Sequence, residues 1–188
     1  RLEVGIPILI QSCLSVLLNL SLLRLLIFYK HFLDNNFRSH IISLTVACLG
    51  FLSVNFYCYL PITLFGMEVS DTVLIILASP NSLFYQIIQF SNVSISFDRF
   101  LFFVTPQFHS RLVSSNFRSL LLVFPWILSL FLVLHSSLTG YYKRVNPYSL
   151  LYTYECSNFG FYSTLLFIFG FAWPVIIFFL YSIIFLTL

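Results

Sequence analysis

Residues 81–100 read NSLFYQIIQFSNVSISFDRF. They include the end of a long run of uncharged residues, which is followed by the charged pair Asp98 and Arg99. Polar residues recur in this part of the chain at steps of three or four, the spacing of one α-helical face: Asn81, Tyr85, Gln89, Asn92, Ser96 and Arg99. Such a stripe is costly against lipid, so we expect it to face the interior of a helix bundle or a water-filled cavity. The alternative is that these groups only join helices by hydrogen bonds.

The whole chain has the composition of a membrane protein. Of its 188 residues, 60% are hydrophobic and only 8% are charged, whereas an ordinary soluble domain has about 25% charged residues. Five uncharged stretches reach the roughly 20 residues that a spanning helix needs: 4–23, 39–67, 72–97, 119–142 and 156–188. Their continuous apolar character favours helices over barrel strands, which alternate over about ten residues. We predict one all-α membrane domain over 1–188, with helices at approximately 4–28, 40–66, 72–100, 118–141 and 159–188.

The positive charges predict the orientation of these helices. The connections after the first and third runs hold six Lys or Arg residues, while the N-terminus and the connection after the fourth run hold three. Cytoplasmic loops carry the excess of positive charge, so we expect the N-terminus outside the cell and the end of the third helix inside. The basic residues are scattered rather than clustered, which does not indicate nucleic-acid binding.

The inner end of the third run carries a recognisable motif. Its sequence DRFLFFVTP resembles the Asp-Arg-Tyr signature of rhodopsin-like seven-transmembrane G-protein-coupled receptors, including the proline at a fixed distance: Asp98, Arg99, Phe100 and Pro106. Asn19, Trp126 and Pro174 fall in register with that family's packing signatures in helices 1, 4 and 5. The resemblance implies that the chain forms the first five helices of a seven-helix bundle.

The resemblance also implies a signalling mechanism. In such receptors the acid and the arginine help to hold the resting state, and a ligand-driven helix movement frees the arginine toward a heterotrimeric G protein. Asp98, Arg99, Phe100 and Pro106 are therefore expected to form the coupling switch. The alternative is that Asp98 and Arg99 only mark the water interface, where a snorkelling arginine anchors the helix.

A ligand cavity is implied at the other end of the bundle, between helices 2, 3 and 5 and under an external loop. We expect Asn81, Ser82, Tyr85 and Gln86 to line it. Amine receptors of this family place an aspartate near the position of Asn81, so the expected ligand is a neutral, largely apolar small molecule. The alternative is that these residues only make hydrogen bonds between helices.

The cysteines and one helix 2 position depart from the family's pattern. The family's disulfide joins the start of helix 3 to the second external loop; Cys156 suits the loop end, but residues 70–78 contain no cysteine. Cys58 is the remaining external candidate, and a bridge requires the two Cα atoms to lie within about 7 Å, with free thiols as the alternative. Ala47 or Cys48 stands where the family has a sodium-binding aspartate. No metal or cofactor is therefore expected.

The chain is rich in phenylalanine and has Phe100 where the family signature has tyrosine. In both features it resembles nematode chemosensory serpentine receptors of the srx, srv and srw classes. That resemblance implies a chemosensory role at a plasma membrane, either ciliary or elsewhere on the cell surface. The alternative is a multi-pass transporter or channel subunit, but transporters tend to show internal repeats and none is found here. An enzyme is not expected, since the four histidines form no H-x-x-x-H pair for a metal.

Overall fold

The structure, a computed structural model, describes residues 2–29, 34–112, 115–146, 151–156 and 161–187. It contains seven helices and two strands within these ranges: α1 (Leu2–Phe28), α2 (Asn35–Val54), α3 (Leu60–Phe65), α4 (Asp71–Val104), α5 (Pro106–Leu112), α6 (Ser115–Leu138), β1 (Tyr141–Asn146), β2 (Leu151–Cys156) and α7 (Phe161–Thr187). Five segments are long and apolar enough to cross a membrane: Leu2–Phe28, Phe37–Phe65, Asp71–Val104, Ser119–Leu138 and Gly170–Thr187. The predicted fold class, an all-α membrane bundle with five spanning helices, is confirmed.

The helix ends differ from the ranges predicted from the uncharged runs. α2 begins at Asn35 rather than near residue 40, α4 continues past residue 100 to Val104, and α6 covers Ser115–Leu138 rather than 118–141. A helix continues beyond the hydrocarbon core of a bilayer, where charged side chains reach water. The boundaries predicted for the start of α2 and the end of α4 therefore fall inside the helix ends.

The second spanning segment is one irregular helix. α2 ends at Val54, a π-helical turn covers Asn55–Tyr59, and α3 begins at Leu60 with Pro61 in its first turn. Proline removes a backbone N–H and its ring clashes with the carbonyl four residues earlier in an ideal α-helix. The wider turn accommodates that clash without breaking the segment. The segment then ends at Gly66, whose φ of 64° is the left-handed conformation that favours glycine.

α4 lies at the centre of the described bundle, because it contacts α2, α6, α7 and β1. Its polar stripe faces mainly inward: Asn81 and Ser96 are only 0% and 1% exposed, and Asn92 and Arg99 are half-buried. Tyr85 is the exception, with 41% of its surface exposed. The stripe therefore faces the interior at its two ends, near Asn81 and near Arg99, and is exposed at Tyr85.

The three residues of the helix-packing signatures make different contacts. Nε1 of Trp126 donates a hydrogen bond to Oγ of Ser43 at 2.8 Å and so joins α6 to α2. Asn19 instead donates within α1, to the carbonyl oxygen of Ser15 at 2.8 Å. Pro174 lines a cleft between α7 and α4. Trp126 is thus the signature residue with a described hydrogen bond between helices.

α2 and α4 approach each other closely at Gly50. A Cβ at this position would lie 2.4 Å from a ring atom of Phe84. We expect Gly50→Ala to force Phe84 out of its position and to lower the free energy of unfolding by about 1–3 kcal/mol, as overpacking typically does. Thermal unfolding of the purified protein in detergent measures this loss.

Gly170 of α7 provides the matched control for that substitution. No described atom lies within 4 Å of the position its Cβ would occupy. Alanine there also has a better helix propensity than glycine, so Gly170→Ala should leave the melting temperature unchanged or raise it slightly. Equal melting temperatures for the two variants would contradict the close approach of α2 and α4.

A β-hairpin follows α6, where the sequence predicted only an external loop. β1 and β2 pair antiparallel, with Tyr141 opposite Cys156 and Asn146 opposite Leu151. Val145 is fully buried in an apolar cluster contributed by the second spanning segment and α4: Val54, Cys58, Tyr59, Ile62, Leu74 and Ala78. Alternate side chains of a strand point to the same side. The hairpin therefore enters the outer mouth of the bundle through the face that carries Val145.

Candidate functional site

The inner end of α4 holds a buried carboxylate with two basic neighbours. Asp98 is 7% exposed. Its Oδ2 lies 3.5 Å from Nη2 of Arg99, and its Oδ1 lies 3.6 Å from Nε2 of His109 on α5. Both distances are long for hydrogen bonds but short enough for electrostatic attraction. Asp98 therefore connects the arginine of its own helix to the following helix.

Arg99 is also held by aromatic rings. Its guanidinium carbon lies 3.9 Å from the ring centroid of Phe37 on α2 and 5.8 Å from that of Phe102. Cation–π contacts of this kind are worth about 0.5–1 kcal/mol at exposed sites and about 2 kcal/mol when desolvated. The Nε of Arg99 is buried and has no hydrogen-bond partner among the described residues. The arginine is thus fixed jointly by an acid on α4 and a ring on α2.

Two histidines near this pair were not predicted as site residues. His40 on α2 is only 5% exposed and interacts electrostatically with both Asp98 and Arg99. His109 contacts Asp98 and also packs edge-on against Phe102, with ring centroids 5.4 Å apart. Each is brought to the pair by a different helix, so no spacing in the sequence indicated them.

The remaining predicted switch residues lie around the end of α4. Phe100 is half-buried on α4. Thr105 leaves the helical conformation, and Pro106 begins α5, where the missing N–H of a proline at the first helical position costs nothing. Pro106 is exposed and lines a surface cleft of about 540 Å³ together with Val104, Thr105, Gln107 and Phe108. The structure thus brings Asp98 and Arg99 together and places Pro106 on the adjoining inner surface.

A second polar cluster, the outer cluster, consists of Lys143, Asn81, Tyr85 and Tyr152. Nζ of Lys143 on β1 donates a hydrogen bond to Oδ1 of Asn81 on α4. The same Nζ lies 4.8 Å from the ring centroid of Tyr152 and 6.0 Å from that of Tyr85. Behind it, Tyr152 packs against Tyr59 with ring centroids 5.3 Å apart. A basic side chain of the hairpin therefore reaches the outer end of the central helix.

Burial shifts the pKa of both titratable groups that the hairpin brings to the outer cluster. Removal from water disfavours the ammonium ion and lowers the pKa of Lys143 to about 8. Burial raises the pKa of Tyr152, so its hydroxyl keeps its proton over the physiological range. With a pKa of about 8, the ammonium form of Lys143 still predominates at pH 7.

The four residues predicted to line a ligand cavity share two turns of α4. Asn81 and Ser82 are buried, whereas Tyr85 is exposed and Gln86 is half-buried. Asn81 and Tyr85 belong to the outer cluster. Nδ2 of Asn81 and Oε1 of Gln86 are buried without a hydrogen-bond partner in the part of the chain that the structure describes. Two unsatisfied polar atoms therefore lie in this segment.

The predicted bridge between Cys58 and Cys156 does not form in the structure. Cys58 is a free, buried cysteine in the cluster against which Tyr152 packs. Cys156 lies four residues beyond Tyr152, at the end of β2, where it pairs with Tyr141 of β1. The side chain of Cys156 lies outside the described residues.

A cleft of about 500 Å³ separates the inner halves of α4 and α7. Asn92 and Ser96 of the polar stripe line one side, and Pro174, Phe178 and Tyr181 line the other. Oγ of Ser96 donates to the carbonyl oxygen of Asn92 at 2.8 Å, so its hydroxyl is satisfied within α4. The stripe therefore continues from the outer cluster to this cleft and then to Asp98 and Arg99.

We compared the sequence and the structure with those of known proteins. No family model and no curated protein matches the sequence. The structure is similar to the crystal structure of squid rhodopsin, with a TM-score of 0.79 and 19% identity over 98% of this chain. The match covers 54% of the rhodopsin chain, so this chain spans about half the length of that protein. The predicted rhodopsin-like fold is confirmed, and the chain is a multi-pass membrane protein with the helix arrangement of that part of squid rhodopsin.

Proposed function

We propose that this protein is a G-protein-coupled receptor that detects an extracellular small molecule and signals through Asp98, Arg99 and Phe100. The observation that carries the proposal is the pair Asp98–Arg99 at the inner end of a central helix whose outer end meets the hairpin. A ligand that binds one arrangement of this helix better than another shifts the population of both ends together. Such a two-state helix is what transmembrane signalling requires.

The contacts of Arg99 give the proposed resting state. Asp98 attracts the guanidinium and Phe37 stacks on it, so the arginine is tied to both α4 and α2. A movement of α4 relative to α2 separates Arg99 from Phe37 and frees it toward the cytoplasm. A heterotrimeric G protein would then bind the freed arginine together with the adjoining surface at Pro106.

The ligand site of the proposed receptor lies at the outer end of α4, lined by Asn81, Ser82, Tyr85 and Gln86. Its surroundings are mostly apolar, since Leu74, Val145 and their neighbours form a buried cluster there. Ligand pockets are mostly hydrophobic with a few polar groups that set orientation. We therefore infer a largely apolar small molecule as ligand, and a chemosensory role at the ciliary or general cell-surface plasma membrane agrees with the resemblance to serpentine receptors.

Substitutions at Asn81 and Tyr85 test the position of the ligand site. With an agonist found by screening cells that express the full-length protein, we expect Asn81→Ala and Tyr85→Phe each to weaken potency about three- to tenfold, the effect of losing one hydrogen bond. Ile76→Ala is the matched control, because Ile76 lies on the same helix and is 63% exposed. Unchanged agonist potency in both site variants would refute the assignment.

A further inference from the structure

The hairpin carries a cation into an apolar part of the bundle. Lys143 lies on the same side of β1 as the fully buried Val145, and its Nζ contacts the rings of Tyr152 and Tyr85. Lys143 therefore places a positive charge among largely apolar groups, where its attraction for an anion is stronger than in water. The outer cluster therefore favours ligands of negative charge.

Asn81 supplies a second donor at the same place. Its Oδ1 accepts the hydrogen bond of Lys143, which fixes the orientation of the amide and makes Nδ2 the donor. Asn81 is 0% exposed, and this Nδ2 has no partner within the described parts of the chain. A buried donor left unsatisfied is unfavourable. Within the described residues, the outer cluster therefore lacks a hydrogen-bond acceptor for Nδ2 of Asn81.

We propose that the receptor's ligand carries a carboxylate, bound by the Lys143 ammonium and the Asn81 amide, with its apolar remainder against the tyrosine rings and the Val145 cluster. The proposal rests on the proposed function, because it assigns the outer cluster as the ligand site. A carboxylate has two acceptor oxygens and one negative charge, which match two donors and one cation. A carboxylate ligand replaces the neutral ligand that was expected because asparagine, and not aspartate, occupies position 81.

Binding of matched acids and amides to the purified full-length receptor in lipid nanodiscs tests the proposal. The probes are straight-chain and phenyl-substituted monocarboxylic acids, each paired with its primary amide, and calorimetry measures their dissociation constants. We expect acids to bind about 10- to 100-fold more tightly than their amides, as charge-assisted hydrogen bonds do. Lys143→Gln should remove that preference, whereas the matched variant Lys143→Arg should keep most of it.

The pH dependence adds a readout to the same assay. Because the protonated Lys143 binds the anion, acid affinity should be nearly constant from about pH 6 to 7, fall to about half near pH 8 and fall further above it, as the free ammonium loses its proton. The titratable groups described around it are Tyr85 of α4 and Tyr152 of β2, with Cys58 and Tyr59 of the second spanning segment behind Tyr152. Amide affinity should not change over this range.

Several results would overturn the proposal. These are equal affinities for acids and amides, unchanged acid binding by Lys143→Gln, or no binding by any acid of the panel. If Lys143→Gln fails to fold, the comparison of acids with amides on the wild-type protein decides alone. The assay contains no G protein, so acid binding without coupling would overturn the proposed function and leave this inference standing, and coupling without acid binding would do the reverse.

Discussion

Arg99→Ala is expected to abolish agonist-stimulated signalling while leaving the amount of protein at the cell surface unchanged. The guanidinium is the group proposed to bind the G protein, and alanine removes it entirely. Surface expression should persist, since the contacts described for the side chain are with Asp98, Phe37 and Phe102, and His109 remains beside the Asp98 carboxylate. Second-messenger assays in cells that express the full-length protein, with antibody labelling of intact cells, measure both quantities.

Arg24 provides the matched control for that substitution. It is an exposed arginine on α1 whose guanidinium carbon lies 6.0 Å from the ring centroid of Phe28. Arg24→Ala removes the same charge and a similar ring contact at a place outside the proposed switch. It should leave agonist signalling at the wild-type level, and wild-type signalling by Arg99→Ala would refute the role of Arg99.

Asp98→Asn is expected to raise signalling in the absence of ligand. Asparagine keeps the shape of the side chain but removes the negative charge that attracts Arg99 and His109. A loss of about 1–2 kcal/mol from the resting state changes the ratio of the two states about 5- to 30-fold. Basal second-messenger production, normalised to surface expression, should rise accordingly.

Asp71→Asn is the control for this charge removal, because Asp71 is an exposed acid in the first turn of the same helix. Its carboxylate stabilises the N-terminus of α4 by about 0.3–1 kcal/mol and lies at the outer end of the bundle. Basal signalling should stay at the wild-type level. A basal rise in Asp71→Asn equal to that in Asp98→Asn would show a general effect of charge and not a switch at Asp98.

The sequence predicted those features of the fold that depend on local pattern. Uncharged runs locate the five spanning segments, because each must pair its own backbone groups in lipid. The spacing of Asn81, Ser96 and Arg99 correctly assigned the inward side of α4, because a polar stripe avoids lipid. The helix ends, the hairpin after α6 and the exposure of Tyr85 differ from that prediction.

The candidate sites were predicted less completely because they depend on contacts between distant residues. Lys143 and Asn81 are 62 residues apart. Lys143 lies in a hairpin whose sequence lacks the Asn-Gly or Asp-Gly pair that marks a short turn between two strands. Phe37 and Arg99 meet only because α2 packs on α4. The pairing of Cys58 with Cys156 failed for the same reason, since the register of β2 decides which residue meets Cys58.

Guanine-nucleotide exchange on purified heterotrimeric G proteins tests the central claim most directly, and it needs no known ligand. The full-length protein in lipid vesicles is compared as wild type, Asp98→Asn and the double variant Asp98→Asn/Arg99→Ala. We predict that Asp98→Asn accelerates exchange over wild type and that the double variant returns it to the rate of the G protein alone. Unaccelerated exchange by Asp98→Asn with every Gα class, or undiminished exchange by the double variant, would contradict a receptor that signals through Arg99.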